Sequence, residues 1–465
     1  MQSTHRRVGL ITTMSRDTTW ELAVVDGVER QHWAVKAQLE RLGYEVCDEG
    51  SLLREYDEML AAGRSLRARG IKALVIFVGC WTYANCAAAA ALEADVPVII
   101  WGDATPGTVG LVGAAITRGG MAELGIYATL VYGEPNDDKT LRRVNTLLNA
   151  ACAAIGLRGQ RLGYAGGRSM GMLTAVCDPN EVRVKFGIEI DSFEQMEVIE
   201  RTQQVDEARV ASFRRWLDER FGRVVAVEDA LLKQIRLYLA LQDVIRERRY
   251  DLVAVKCLPE LPALFTTFCL AHAIMGDAQD DLGAKARTVF ACEADLNAAF
   301  TMQILHLLQD GPVLFADFLE WDREDVINVV NCGSQPTDFA VNPKDVWWEI
   351  ESTHEFQWKY GGTSPQHVTR PGRVTLARLY REQGRYGMMI APAETIYRDR
   401  ETFRNFMWER PRSFVRLLCD RDKFLDAIRS NHVHAIFGDW TAELIEVCKI
   451  LGIETVVVDK ALSKE

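Results

Sequence analysis

Nowhere in its 465 residues does the sequence hold a run of about 18 consecutive apolar residues, so no segment is suited to crossing a bilayer as a helix, and a membrane partner is not expected. It also lacks any CxxC pair: the 11 cysteines, from Cys47 to Cys448, are scattered, which excludes the common zinc-ribbon and thiol-redox patterns. Reduced, buried thiols and a cytoplasmic location follow. Basic residues are in deficit, 54 Lys and Arg against 65 Asp and Glu, and no basic stripe reverses the net charge of −11. Nucleic acid is therefore not an expected partner. The opening MQSTHRRVGLITT goes directly into a short apolar run without a small-residue cleavage site and reads as a first strand, not a signal peptide. Neither GxGxxG nor GxxxxGK[ST] occurs in a strand-to-helix context, so nicotinamide and ATP chemistry have little support.

What is present is an alternation of short apolar runs with helical-length segments, the pattern of parallel sheets flanked by helices. Arg7–Thr12, Lys72–Val78 and Val96–Trp101 read as strands, with a helix from about Asp26 to Leu42 closed by Gly43. The polar hinge Gly133–Asp138 precedes a helix ending near Ile155, which sets a first domain at residues 1–157. A second α/β domain, 158–309, contains strands at 161–164, 251–256 and 288–292 and a helix from Leu296 to Leu308. After Gly311-Pro312 turns become dense, and 310–465 reads as a β-rich C-terminal domain ending in a βαβ-like unit, 433–438, 441–451 and 454–458. The expected class is α/β: two doubly wound parallel-sheet domains followed by a more β-rich one.

Three side chains then draw chemical interest. Glu293 leaves the end of an apolar strand, in Cys292-Glu293-Ala294-Asp295-Leu296-Asn297, and Asp317 interrupts the apolar run Pro312–Leu319. An unpaired buried carboxylate costs several kcal/mol, so each needs a cation or a strong donor. Asp295 is suited to capping the following helix. Only eight histidines exist, and two of them, His432 and His434, lie on one strand face. Glu293, Asp317 and one histidine would form an oxygen-rich site with open positions, suited to Mn²⁺ or Mg²⁺. The loop Gly166-Gly167-Arg168-Ser169-Met170-Gly171-Met172 follows a strand and serves equally as a plain turn or a ligand loop.

The segments Gly79-Cys80-Trp81-Thr82-Tyr83, Ile100-Trp101-Gly102, Gly167–Gly171, Cys292–Asn297, Phe315-Ala316-Asp317, Asn331-Cys332-Gly333-Ser334, Trp348-Glu349-Ile350 and Asn431-His432 occur in the order in which similar segments occur in the L-fucose isomerases, of the L-fucose/L-arabinose isomerase superfamily. The chain resembles that family along most of its length. The resemblance implies metal ligands at Glu293, Asp317 and His432, with Mn²⁺ (or Mg²⁺ or Co²⁺) as cofactor, and Glu293 and Asp317 as the proton-transferring pair of an aldose–ketose isomerase acting on an L-fucose- or D-arabinose-like sugar through a cis-enediol. His434 has no role in it. Arg168, Ser169 and Met170 become candidate substrate contacts, and Trp81 a wall of a neighbouring subunit's pocket in a homo-oligomer, a trimer or hexamer. Two departures bear on the substrate: Lys256-Cys257-Leu258-Pro259-Glu260 stands where the family has a substrate-contacting glutamine, and the chain is shorter than typical members. An isomerase of a C6-substituted, anionic hexose, for instance a sulfonated one held by Arg168 or Arg370, and a non-catalytic sugar-binding protein are the alternatives.

Overall fold

The computed structural model describes residues 6–15, 24–50, 52–331, 335–351, 361–403 and 409–458. Part of the 331–334 turn, Cys332 to Ser334, lies outside them. The fold is mixed α/β, with parallel sheets in the N-terminal region and a β-rich C-terminal region, as the alternation of apolar runs predicts. The chain divides into two compact units, Met1–Gly156 with Ala442–Gly452, and Leu157–Thr441 with Ile453–Glu465.

In the first unit, strands β1 (Arg7–Thr13), β2 (Glu45–Asp48), β3 (Ala73–Val78), β4 (Val98–Gly102) and β5 (Ala128–Tyr132) form one sheet in the order β2-β1-β3-β4-β5. Every pairing is parallel. All six residues of β3 are buried, which is why this strand is apolar throughout instead of alternating. Helices α1 (Val25–Arg41), α2 (Tyr56–Ala68), α3 (Ala84–Ala94), α4 (Gly110–Glu123) and α5 (Asp138–Gly156) fill the crossovers. Helices α2 and α3 approach so closely that a Cβ at Gly63 would stand 2.4 Å from the Ala90 carbonyl oxygen, so that position requires glycine. The helix Thr441–Leu451 also belongs here: its Glu446 accepts hydrogen bonds from Tyr127 (2.8 Å) and Arg143 (3.0 Å), and Ile450 packs against the sheet core.

The second unit begins with a four-stranded parallel sheet of β6 (Arg161–Ala165), β7 (Glu189–Phe193), β8 (Leu252–Val255) and β9 (Val289–Cys292), in the order β9-β8-β6-β7. Helix α6 (Leu296–Leu308) follows β9 directly. Six further strands are β10 (Leu314–Trp321), β11 (Val326–Val330), β12 (Gly372–Glu382), β13 (Arg385–Ile396), β14 (Arg412–Leu417) and β15 (His432–Phe437). Their antiparallel pairings run β12-β15-β10-β11-β14-β13 and return to β12, closing a six-stranded barrel. Closure leaves none of the six with a free edge along its whole length. Each strand contributes alternate apolar residues to one cluster inside it, among them Leu314, Ala316, Ile327, Val329, Leu376, Ala391, Val415, Val433 and Ala435. The hairpin between β12 and β13 turns through Gln383 and Gly384, both at positive φ (50° and 80°), as a two-residue turn compatible with strand twist demands.

The C-terminal β15, α7 (Thr441–Leu451) and β16 (Glu454–Val457) follow one another as strand, helix and strand, but the two strands are not neighbours, because β15 is already paired on both sides within the barrel. Strand β16 pairs instead with β13, in parallel. Apolar runs flanking a helix specify two strands, but which edge each finds depends on which edges are still open.

Candidate metal centre

Strand β9 ends at Cys292 and helix α6 starts at Leu296, so three residues must reverse the chain. Two of them, Glu293 (φ 58°) and Ala294 (φ 53°), are consecutive non-glycine residues in the left-handed region. Such conformations cost about 1–3 kcal/mol each and persist only where the surroundings hold them. Asp295 then caps the helix, its Oδ1 accepting from the Ala298 N–H at 2.9 Å. This tight turn holds the Glu293 carboxylate, 3% exposed, beside the outer face of the barrel.

That face is built by β10 and β15. Asp317 pairs directly with His432, so both side chains leave the same side of the sheet, opposite the barrel's apolar interior. The Phe315 ring packs beside them, its centroid 4.5 Å from that of His432 and 5.2 Å from that of His434. His432 Nε2 lies 3.3 Å from Glu293 Oε2 and 3.5 Å from Asp317 Oδ1. One ligand atom from each of the three residues falls within 4.8 Å of the others.

The arrangement fits a divalent cation. Two ligands about 2.1–2.2 Å from an ion, at right angles, stand about 3.0–3.1 Å apart, a few tenths of an ångström less than the spacings found. Glu293 Oε2 and His432 Nε2 are both buried and make no aligned hydrogen bond, although they face each other. With two carboxylates and one imidazole the donor set is that of a hard, oxygen-preferring ion.

The electrostatics are those of three acids around one histidine. Burial opposes charge on His432, but the hydrogen bond to Asp295 and the facing Glu293 and Asp317 carboxylates outweigh it and raise its pKa to about 10. Asp317 keeps 29% of its side chain exposed, yet crowding by protein on its other sides pushes its pKa up to about 6, with His432 opposing the shift and Glu293 adding to it. Asn431 donates to Asp317 Oδ1 at 2.7 Å. Burial would also raise Asp295, but the Arg378 guanidinium (2.9 Å) and His432 (2.7 Å) hold it well below the usual carboxylate range.

Glu293, Asp317 and His432 are thus brought together from three separate stretches of chain. The loop after β6 also reaches this region, Met172 Sδ lying 3.9 Å from Asn431 Nδ2. On that loop Arg168 is exposed and Met170 is 52% exposed at positive φ, while Ser169 is buried and donates to the Leu258 carbonyl at 2.8 Å. Arg370 is committed to the Asp338 carbonyl (2.9 Å) and stacks on Phe437. Trp81 belongs to the first unit, where it packs at the edge of a small cluster of Met14, Val28 and Cys80. His434 is a buried, hydrogen-bonded residue whose pKa is driven well below its ordinary value, chiefly by burial.

Sequence reasoning missed Arg378 and one half of the job of Asp295, which is a cap and also a partner of His432. A signal existed: Arg378 interrupts the apolar run Val374–Tyr380 as Asp317 interrupts its own, and the same burial argument applies to a cation.

Residues 329–458 match the family described as L-fucose isomerase, C-terminal domain. Among curated proteins none matches the chain. Among solved structures, an ABC transporter solute binding protein from Agrobacterium vitis, bound with alpha-D-tagatopyranose, aligns at 11% identity over 65% of this chain and 88% of that one, with a TM-score of 0.16, a likeness too slight to carry an argument. No helix among the described residues is long and apolar enough to cross a membrane. The matched segment includes the strand that carries His432, and over these residues the chain is similar to the C-terminal domain of the L-fucose isomerases, which suggests sugar isomerisation.

Proposed function

We propose that this protein is a divalent-metal-dependent ketol isomerase that interconverts an aldose and its ketose. The observation that carries the reading is the buried convergence of Glu293, Asp317 and His432, with ligand atoms within 4.8 Å, beside a domain of the L-fucose isomerase family. A divalent ion, Mn²⁺ by preference, would supply the positive charge that polarises a sugar carbonyl and acidifies the adjacent C–H.

The remaining work falls to the chain's own groups. Glu293 is enclosed and fixed by its strained turn, whereas Asp317 sits at the partly exposed side. One of the two carboxylates accepts the C2 proton of an open-chain aldose (the C1 proton in reverse), the cis-enediol is reprotonated at the neighbouring carbon, and the O2 hydroxyl proton passes to O1 as the carbonyl moves from C1 to C2. Asn431 orients Asp317 through its 2.7 Å hydrogen bond. The exposed Arg168, on the loop that reaches Asn431, is the available cation for a substrate bearing an anionic group at C6, since Arg370 is already engaged.

The test is to incubate Mn²⁺-loaded protein in D₂O with a panel of aldoses and ketoses, including C6-anionic hexoses, and to read deuterium at C1 and C2 by NMR after chelation. Isomerisation of one sugar with deuterium incorporation is expected. Binding of a sugar without incorporation, by protein shown to hold Mn²⁺, would make it a sugar-binding protein instead.

A further inference from the structure

Behind the three candidate ligands stands a line of buried groups whose hydrogen-bonding roles can be assigned one after another. The Leu314 carbonyl can only accept, so His434 Nδ1, 3.3 Å away, carries a proton and donates it. Nε2 of the neutral His434 ring is then an acceptor, and Arg378 Nη1, which can only donate, lies 3.2 Å from it. Arg378 also donates to Asp295, with Nη1 2.9 Å from Oδ2 and Nη2 3.3 Å from Oδ1, and to the Thr174 carbonyl at 3.2 Å. The Asp295 carboxylate, fully enclosed, accepts from Arg378 and from the Ala298 N–H, and its Oδ2 is 2.7 Å from His432 Nδ1.

A carboxylate so supplied with donors is an acceptor only, so the proton between it and His432 belongs to the imidazole. We propose that Asp295, backed by Arg378 and His434, is a positioning group that keeps a proton on His432 Nδ1, so that Nε2 is the nitrogen presented to Glu293 and Asp317. The proposal rests on the metal-centre reading above and deepens it. The relay begins at a backbone carbonyl and ends at a ligand nitrogen, and every link has one donor and one acceptor. Outer partners of this kind orient a metal-bound histidine and set its tautomer. They also explain a buried arginine at this place: it keeps Asp295 ionised, and a protonated Asp295 could not enforce the same tautomer.

The test uses ¹⁵N-histidine-labelled full-length protein, tractable with eight histidines, together with Mn²⁺ titration. In the wild-type protein, with and without the diamagnetic Mg²⁺, the His432 Nδ1 signal should be that of a protonated nitrogen. Asp295→Asn keeps an oxygen for the helix cap but can turn its amide toward Nδ1, which favours the Nε2–H tautomer. Its Mn²⁺ affinity should fall by about 10–100-fold. Arg378→Lys, which keeps the charge and loses the fork, should show a smaller loss in the same direction, and it serves if Asp295→Asn does not fold. Unchanged Mn²⁺ affinity in a folded Asp295→Asn protein, or a wild-type His432 with bare Nδ1, overturns the proposal. If the wild type binds neither Mn²⁺ nor Mg²⁺ the metal reading fails by itself, and the protonation state of His432 Nδ1 still decides the relay.

Discussion

Two of the charge clusters that the second unit buries are built differently. In one, Asp277 at the end of a helix has a donor for each carboxylate oxygen, the Thr337 hydroxyl at 2.6 Å and the Asp338 N–H at 2.9 Å. Lys285 there donates to the Met275 and Asp277 carbonyls, and Arg287 to Asp338. In the other, Glu293 Oε2 and His432 Nε2 face each other with no aligned hydrogen bond, on a turn with two left-handed residues. Burial of charge is thus not what marks the candidate site. The first cluster ties the Thr337–Phe339 turn to its helix, as a structural network does, whereas the second turns two buried, facing ligand atoms toward a place that a cation would suit.

The comparison breaks most sharply if the two clusters respond alike to mutation. Glu293→Gln and Asp317→Asn keep side-chain shape and should each lower turnover at saturating Mn²⁺ by about 10²–10⁴-fold or more, because each removes a proton-accepting site. Activity within an order of magnitude of wild type in either would remove that carboxylate from the chemistry. His432→Ala should weaken Mn²⁺ binding, read by titration, far more than His434→Ala, whose ring lies one relay step further back.

The satisfied cluster should answer in stability instead. Asp277→Ala leaves the donors around it unpaired and should cost about 3 kcal/mol in chemical denaturation, in line with losses for broken buried pairs, while turnover of the folded protein is kept. A turnover loss matching that of Glu293→Gln would mean that the two clusters are not functionally distinct.

A pH series sharpens the same contrast. Burial raises Asp277 to about 7, with the Asp338 charge adding to the effect. The folded state therefore holds this proton more tightly than the unfolded chain, and over the window from about 4 to 7 stability falls as pH rises, by up to about 1.4 kcal/mol per unit. Asp277→Asn cannot titrate, so its stability relative to wild type should improve between pH 4.5 and 7.5, measured by urea denaturation. The opposite sign comes from His272, which burial lowers to about 4: it loses stability as pH falls below about 6.5, and His272→Asn removes that dependence. The smallest effect belongs to Arg168→Ala. As an exposed residue it should change stability by no more than about 0.5 kcal/mol, and a raised KM confined to C6-anionic sugars would identify its partner.

Much of this was legible in the linear chain. Runs such as Leu74–Val78 announce strands buried on both faces because no polar residue is tolerated there, and the acids that interrupt such runs announce themselves by the cost of burying them. Glu293 and Asp317 could be singled out on that ground, since the penalty attaches to a residue and its immediate neighbours, while the choice of His432 over His434 comes from the family resemblance. Partnership could not. That Asp317 lies opposite His432, that Arg378 reaches Asp295, and that the last strand joins β13 instead of β15 depend on register and on which sheet edges remain open after the barrel closes. Hydrogen-bond direction, tautomer and pKa follow from distances of about 3 Å between atoms far apart in sequence, and those distances exist only once the chain is folded.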